Sequence, residues 1–133
     1  MLKITKTFKD FEGNERTLDM RFNLTKAELI EMNMEVEGGL QKELEKIVQT
    51  YDSNKLLKFF KDLVLRSYGE ISPDGMRFIK NDTIRENFSQ TQVYSDLFCE
   101  LAEDADKAAA FVNGIIPEDL LPYPTYSKIL FYV

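Results

Sequence analysis

Between Leu24 and Thr25 the spacing of apolar residues changes, and that switch most constrains the fold. Leu18, Met20, Phe22 and Leu24 alternate with Thr17, Asp19, Arg21 and Asn23. This is the period of a strand with one face buried. Leu2, Ile4 and Phe8 alternate in the same way, with Lys6 interrupting the face. Between the two runs, Asp10–Glu15 contains Gly13-Asn14, and both residue types tolerate positive φ. Residues 1–24 therefore predict a β-hairpin.

From Thr25 the period becomes that of a helix, about 3.6 residues. Thr25-Lys26-Ala27-Glu28 has the form of a capping box, with Leu24 and Leu29 spaced as a hydrophobic staple. That helix is expected to reach about Met34, and Gly38-Gly39 interrupts the chain. A second helix from Leu40 aligns Leu40, Leu44, Ile47, Val48 and Tyr51 in one stripe. Asp52 or Ser53 caps a third. Its residues Leu56, Leu57, Phe59, Phe60, Leu63, Val64 and Leu65 nearly encircle it, which predicts the most buried helix.

Tyr68-Gly69 closes this helix, with Gly69 suited to the left-handed position after a C-cap. Ser72-Pro73-Asp74-Gly75 is a turn, and Met76–Lys80 a short extended piece. Thr83–Glu86 reads as a second capping box. A helix over about Gln90–Ala102 shares one face among Val93, Tyr94, Leu97, Phe98 and Leu101. Asp104 caps a last helix, which Gly114 and Pro117 end. The fold class is α+β: an N-terminal β-hairpin packed on a mostly α-helical bundle. One domain is expected over residues 1–116, with the hairpin in 1–24 and helices in 25–116. Residues 117–133 form a tail that holds three of the four prolines, Pro117, Pro122 and Pro124.

Composition excludes several kinds of chemistry. The 133 residues contain no His and a single Cys, Cys99. Ser-His-Asp and Cys-His catalysis, His-ligated metals and an internal disulfide are thereby removed. No Gly-rich phosphate loop is present. The net charge of -6 disfavours nucleic-acid binding. No apolar run approaches the ~20 residues of a membrane span, and MLKITKTFKD holds no signal-peptide run. With one cysteine, these features predict a cytoplasmic protein.

The remaining candidates are few. Glu100, Glu103, Asp104 and Asp106 cluster, but their spacing does not match a calcium loop, and helix-dipole complementarity accounts for Asp104. Cys99 neighbours Phe98 and Leu101 and is expected to be a small buried thiol. Lys55, Lys58 and Lys61 recur at helical spacing, ordinarily a solvated face. No catalytic, cofactor-binding or metal residue is assigned, and no enzyme activity is expected. For contact with a partner the candidates are Leu120, Leu121, Tyr123, Tyr126, Ile129 and Phe131 in the apolar tail, then Lys55, Lys58 and Lys61. Folding back of the tail onto the helices is the alternative.

Ser67-Tyr68-Gly69-Glu70-Ile71-Ser72-Pro73-Asp74-Gly75-Met76-Arg77-Phe78-Ile79-Lys80 resembles a stretch of the small tail assembly chaperones of long-tailed phages and prophages of Gram-positive bacteria. Phe88-Ser89-Gln90-Thr91-Gln92-Val93-Tyr94-Ser95-Asp96-Leu97-Phe98 resembles that family's F-then-AY-x-x-L-F region, with Val93 in place of Ala. The acidic, Ala-rich run from Glu100 to Gly114-Ile115-Ile116-Pro117 is also similar, as is the opening with Phe11, Gly13-Asn14, Phe22-Asn23-Leu24-Thr25 and Glu28-Leu29. The likeness covers about residues 1–117, and the order and spacing of the motifs carry it.

The resemblance implies a non-catalytic chaperone, without cofactors, that binds the tape measure protein and helps recruit tail tube subunits. It further implies action in the host bacterial cytoplasm, absence from the mature virion, and a possible homo-oligomer. No nucleic-acid or membrane partner is implied. A structural tail or neck component, such as a completion or connector protein, is the alternative.

Overall fold

The two period-2 runs pair with each other as far as Phe22. Strands β1 (Leu2–Lys9) and β2 (Glu15–Phe22) are antiparallel, in register from Leu2 opposite Phe22 to Lys9 opposite Glu15. Between them the Asp10 amide donates to the Asn14 carbonyl, and the Asp10 carboxylate accepts from the amides of Glu12 and Asn14. Gly13 there adopts φ +85°, in the left-handed region. The computed structural model describes residues 1–50 and 52–117, without the side chains of residues 40, 41, 44, 47 and 48. The stripe expected along Leu40, Leu44, Ile47, Val48 and Tyr51 lies outside what is described.

Among the described residues the chain continues through α1 (Lys26–Met34), α2 (Leu40–Gln49), α3 (Ser53–Ser67), β3 (Tyr68–Ile71), β4 (Phe78–Ile79), α4 (Asp82–Ser89), α5 (Gln92–Glu103) and α6 (Ala105–Ile115). The α+β architecture is as the periodicity predicts. Local capping sets several starts. Thr25 and Glu28 form the full reciprocal box, and Asp52 and Asp104 cap α3 and α6.

Four readings of the chain need correction. Gly69 follows the C-cap Tyr68 but is not left-handed: it is a strand residue, opposite Arg21 in a sheet ordered β1-β2-β3-β4. A Cβ there would stand 2.8 Å from the Phe78 ring and 2.9 Å from the Ile79 carbonyl oxygen, so close packing, not positive φ, requires glycine. The N-cap of α4 lies two residues before Thr83. Asn81, a stronger N-cap, accepts from the Ile84 amide at 2.8 Å.

Gly114 does not stop α6. It lies inside the helix, against the Leu2 side chain, and the cap is Ile116. Finally, α3 does not exceed α5 in burial: a third of each is fully buried, and α5 exposes the smaller share of its residues. Only Ser95, Cys99 and Glu103 of α5 are exposed, whereas α3 turns Lys55, Lys58, Lys61 and Asp62 outward. The hairpin covers α5, and nothing described covers the lysine side of α3.

The core forms where β2 meets the helices. Met20, Phe22 and Leu24 from the strand end pack with Leu56, Phe60, Leu63 and Val64 of α3, Val93, Leu97 and Leu101 of α5, and Phe111, Val112 and Ile115 of α6. The Phe22 ring is central, 5.1 Å from Phe111, 5.6 Å from Tyr68 and 6.0 Å from Phe88, each edge-on. Tyr68 and Phe88 stack at 3.7 Å.

Candidate functional site

Helix α3 presents Lys55, Lys58 and Lys61 to solvent, as their spacing predicts. Lys55 Nζ is 4.0 Å from the Asp52 carboxylate, an exposed contact of little strength. The neighbouring Arg66 donates to Glu35 at 2.8 and 3.3 Å and lies 2.9 Å from Asp62. Its hydrogen bonds to Glu35 hold that carboxyl below the usual glutamate range and raise the guanidinium. This clamp fixes the end of α1 against α3 beside a polar cleft of about 360 Å³ lined by Glu28, Glu31, Arg85 and others. The tail candidates Leu120, Leu121, Tyr123, Tyr126, Ile129 and Phe131 lie outside the described residues.

Two of the four acidic candidates, Glu100 and Asp104, are occupied in other ways. Glu100 accepts from Lys6 and Lys107, and these hydrogen bonds lower its pKa. Asp104 accepts from the amides of Asp106 and Lys107 as the cap of α6. Among the described residues no group of three or more possible ligands could hold a metal ion. Cys99 is exposed, contrary to the buried thiol expected from its neighbours. It follows Ser95 and precedes Glu103 by four residues each, so all three share the outer stripe of α5.

Two features of the surface were not legible in the apolar pattern. Phe11 at the hairpin tip, Met34 at the end of α1 and Met76 in the β3–β4 turn are 77%, 78% and 81% exposed. A cleft of about 370 Å³ also runs between β1, α5 and α6, over Leu2, Ile4, Leu97, Leu101 and Phe111, with Lys6, Glu100 and Lys107 in its wall. Lys6 was the one sequence signal of it, as a charge within an otherwise apolar strand face.

The sequence matches the phage tail assembly chaperone family over residues 1–124. The chain belongs to that family. The match takes in the whole described fold and the first tail candidates, Leu120, Leu121 and Tyr123, and ends before Tyr126. No curated protein and no solved structure matches the chain. Among the described residues of this tail assembly chaperone, no helix is long and apolar enough to cross a membrane.

Proposed function

We propose that this chain acts in the host bacterial cytoplasm as a non-catalytic chaperone that binds the tape measure protein and helps recruit tail tube subunits. The family match over residues 1–124 carries the reading. A holdase for a long helical client needs apolar contacts and a surface that resists self-aggregation. The exposed Phe11, Met34 and Met76 offer the first, and the net charge of -6 favours the second. The contact residues in this reading are Leu120, Leu121, Tyr123, Tyr126, Ile129 and Phe131, assisted by Lys55, Lys58 and Lys61. Self-association around the client would use heterologous interfaces between unlike surfaces.

Co-expression with the tape measure protein tests the reading. A soluble, co-purifying complex is expected, weakened by the combined substitution Lys55→Glu, Lys58→Glu and Lys61→Glu. An insoluble tape measure protein with no complex would overturn it. The chaperone should also be missing from purified particles, whereas a completion or connector protein would be retained there.

A further inference from the structure

We propose that the outer edge of β1, with the apolar cleft beside it, is a docking site for an extended strand, and that its occupant is the chain's own segment 126–133. β1 ends the sheet order, and among the described residues no strand pairs with its outer edge. The Asp10 amide bonds to the Asn14 carbonyl, and hydrogen-bonded pairs alternate along an antiparallel ladder. That alternation directs the backbone groups of Ile4 and Lys6 to β2 and those of Lys3, Thr5 and Thr7 outward. Leu2, Ile4, Lys6 and Phe8 of this strand stay only half-buried, although Met20 and Phe22 opposite are fully buried. The cleft of about 370 Å³ opens alongside, floored by Leu97, Leu101 and Phe111. A long edge strand beside an apolar trough is the geometry of strand addition, in which the backbone pairs and alternate side chains fill pockets.

Position and composition select the occupant. The Leu24 amide bonds to the Ile115 carbonyl at 2.9 Å, and Gly114 packs on Leu2, so the chain leaves α6 beside the start of β1. Residues 118–125 can span up to ~26 Å, about the length of an eight-residue strand. A strand parallel to β1 therefore begins within easy reach. Pro122 and Pro124 fall in this connector, and residues 125–133 contain neither Pro nor Gly. Tyr126-Ser127-Lys128-Ile129-Leu130-Phe131-Tyr132-Val133 is rich in β-branched and aromatic residues. Ile129, Phe131 and Val133 share one parity, so a strand formed there would turn all three to one face. A second copy of β1 would instead oppose Lys3, Lys6 and Lys9 with three more lysines, while segment 126–133 brings only Lys128. The inference stands on the fold and needs no client, which enters only as a competitor for Ile129 and Phe131.

Residue-resolved amide exchange on the full chain, without client, tests it. The amides of Lys3, Thr5 and Thr7 should be protected at least about tenfold over a free edge. The double variant Ile129→Asp with Phe131→Asp should remove that protection and leave Ile4 and Lys6, which pair with β2, unchanged. Unprotected outward amides in the native chain would overturn the proposal, as would protection that survives the double variant. Protection that grows with protein concentration would assign the edge to a second copy, and protection seen only with added tape measure protein would assign it to the client. Either result also overturns the proposal; only the last bears on client binding, and it would support it.

Discussion

Lys6 Nζ donates to Glu100 Oε2 across 2.5 Å, joining the one charge on the core-facing side of β1 to a helix 94 residues later. The two side chains are 24% and 35% exposed, so the pair is only partly shielded from water. A second lysine, Lys107 of α6, reaches the other carboxylate oxygen at 2.9 Å. Three elements thus meet at one carboxylate.

Lys6→Met is expected to cost no more than about 1 kcal/mol, because Lys107 still faces Glu100 and solvent screens the site. The titration of Glu100 reports the change more sharply. Its folded pKa is lowered, first by Lys6 and then by Lys107, from the ordinary value of 4.5. Its contribution is therefore complete above that value and is lost as pH falls through the depressed folded value. In Lys6→Met the carboxyl should titrate closer to 4.5 and the acid limb of the stability curve should be shallower. Carboxyl-detected NMR titration, with urea denaturation across the acid range, checks both.

Lys80 closes a second long-range link. It is 12% exposed, donates to the Asn23 carbonyl and to Glu28, both at 2.6 Å, and lies 5.5 Å from the Phe78 ring centre. Lys80→Met should cost about 1–3 kcal/mol, because it leaves a partly buried carboxylate and a carbonyl unpaired. Burial lowers the Lys80 pKa despite Glu28. The unfolded chain thus binds more protons between the two values, and stability rises with pH across that alkaline window. The substitution should abolish this rise. Burial pushes Glu28 upward, but hydrogen bonds from Lys80 and Thr25 outweigh it and leave the carboxyl lowered, so Glu28 should titrate higher in the variant. Chemical denaturation between neutral and alkaline pH measures the first effect.

Gly69→Ala should destabilise by about 1–3 kcal/mol through overpacking. The added methyl meets a ring and a backbone carbonyl of β4, so relief requires the β3–β4 pair to part. Faster amide exchange at Glu70 and Ile79, together with a lower denaturation midpoint, is the expected signature. Wild-type exchange at both positions would show that the strands accommodate the methyl.

Cys99 should react stoichiometrically with a thiol-specific disulfide reagent in the native protein, without denaturant, because its side chain is exposed. Cys99→Ser should shift stability by less than about 0.5 kcal/mol. Thiol titration by absorbance, before and after unfolding, checks the accessibility; a thiol seen only after unfolding would place it in the core.

The buried face of β2 was readable because Met20 and Phe22 share one parity and Asp19 and Arg21 the other. The starts of α1, α3 and α6 were readable because Thr25, Asp52 and Asp104 each bond to amides two or three residues away. The start of α4 was misplaced by similar local logic, since Asn81 competes with Thr83 and is the better cap. Cys99 was misplaced by proximity to Phe98, when the four-residue spacing to Ser95 and Glu103 sets its direction. Of the candidate contact residues, the Lys55, Lys58 and Lys61 face was legible from helical spacing. The β1 cleft was not, because Leu2, Leu97 and Phe111 meet there from three separate elements.

The sequence by itself determined the hairpin, the buried face of its second strand and most of the helix caps, since these depend on periodicity and on bonds within a few residues. It also bounded the chemistry, because a chain without His and with one Cys cannot build a Ser-His-Asp or Cys-His centre or an internal disulfide. Only the tertiary structure decided that Tyr68–Ile71 forms a third strand, that Gly69 answers to the Phe78 ring, and that Lys6 and Lys80 are satisfied by Glu100 and Glu28. Each of these depends on which distant segment arrives alongside. That is a property of packing around Phe22, and local spacing does not encode it.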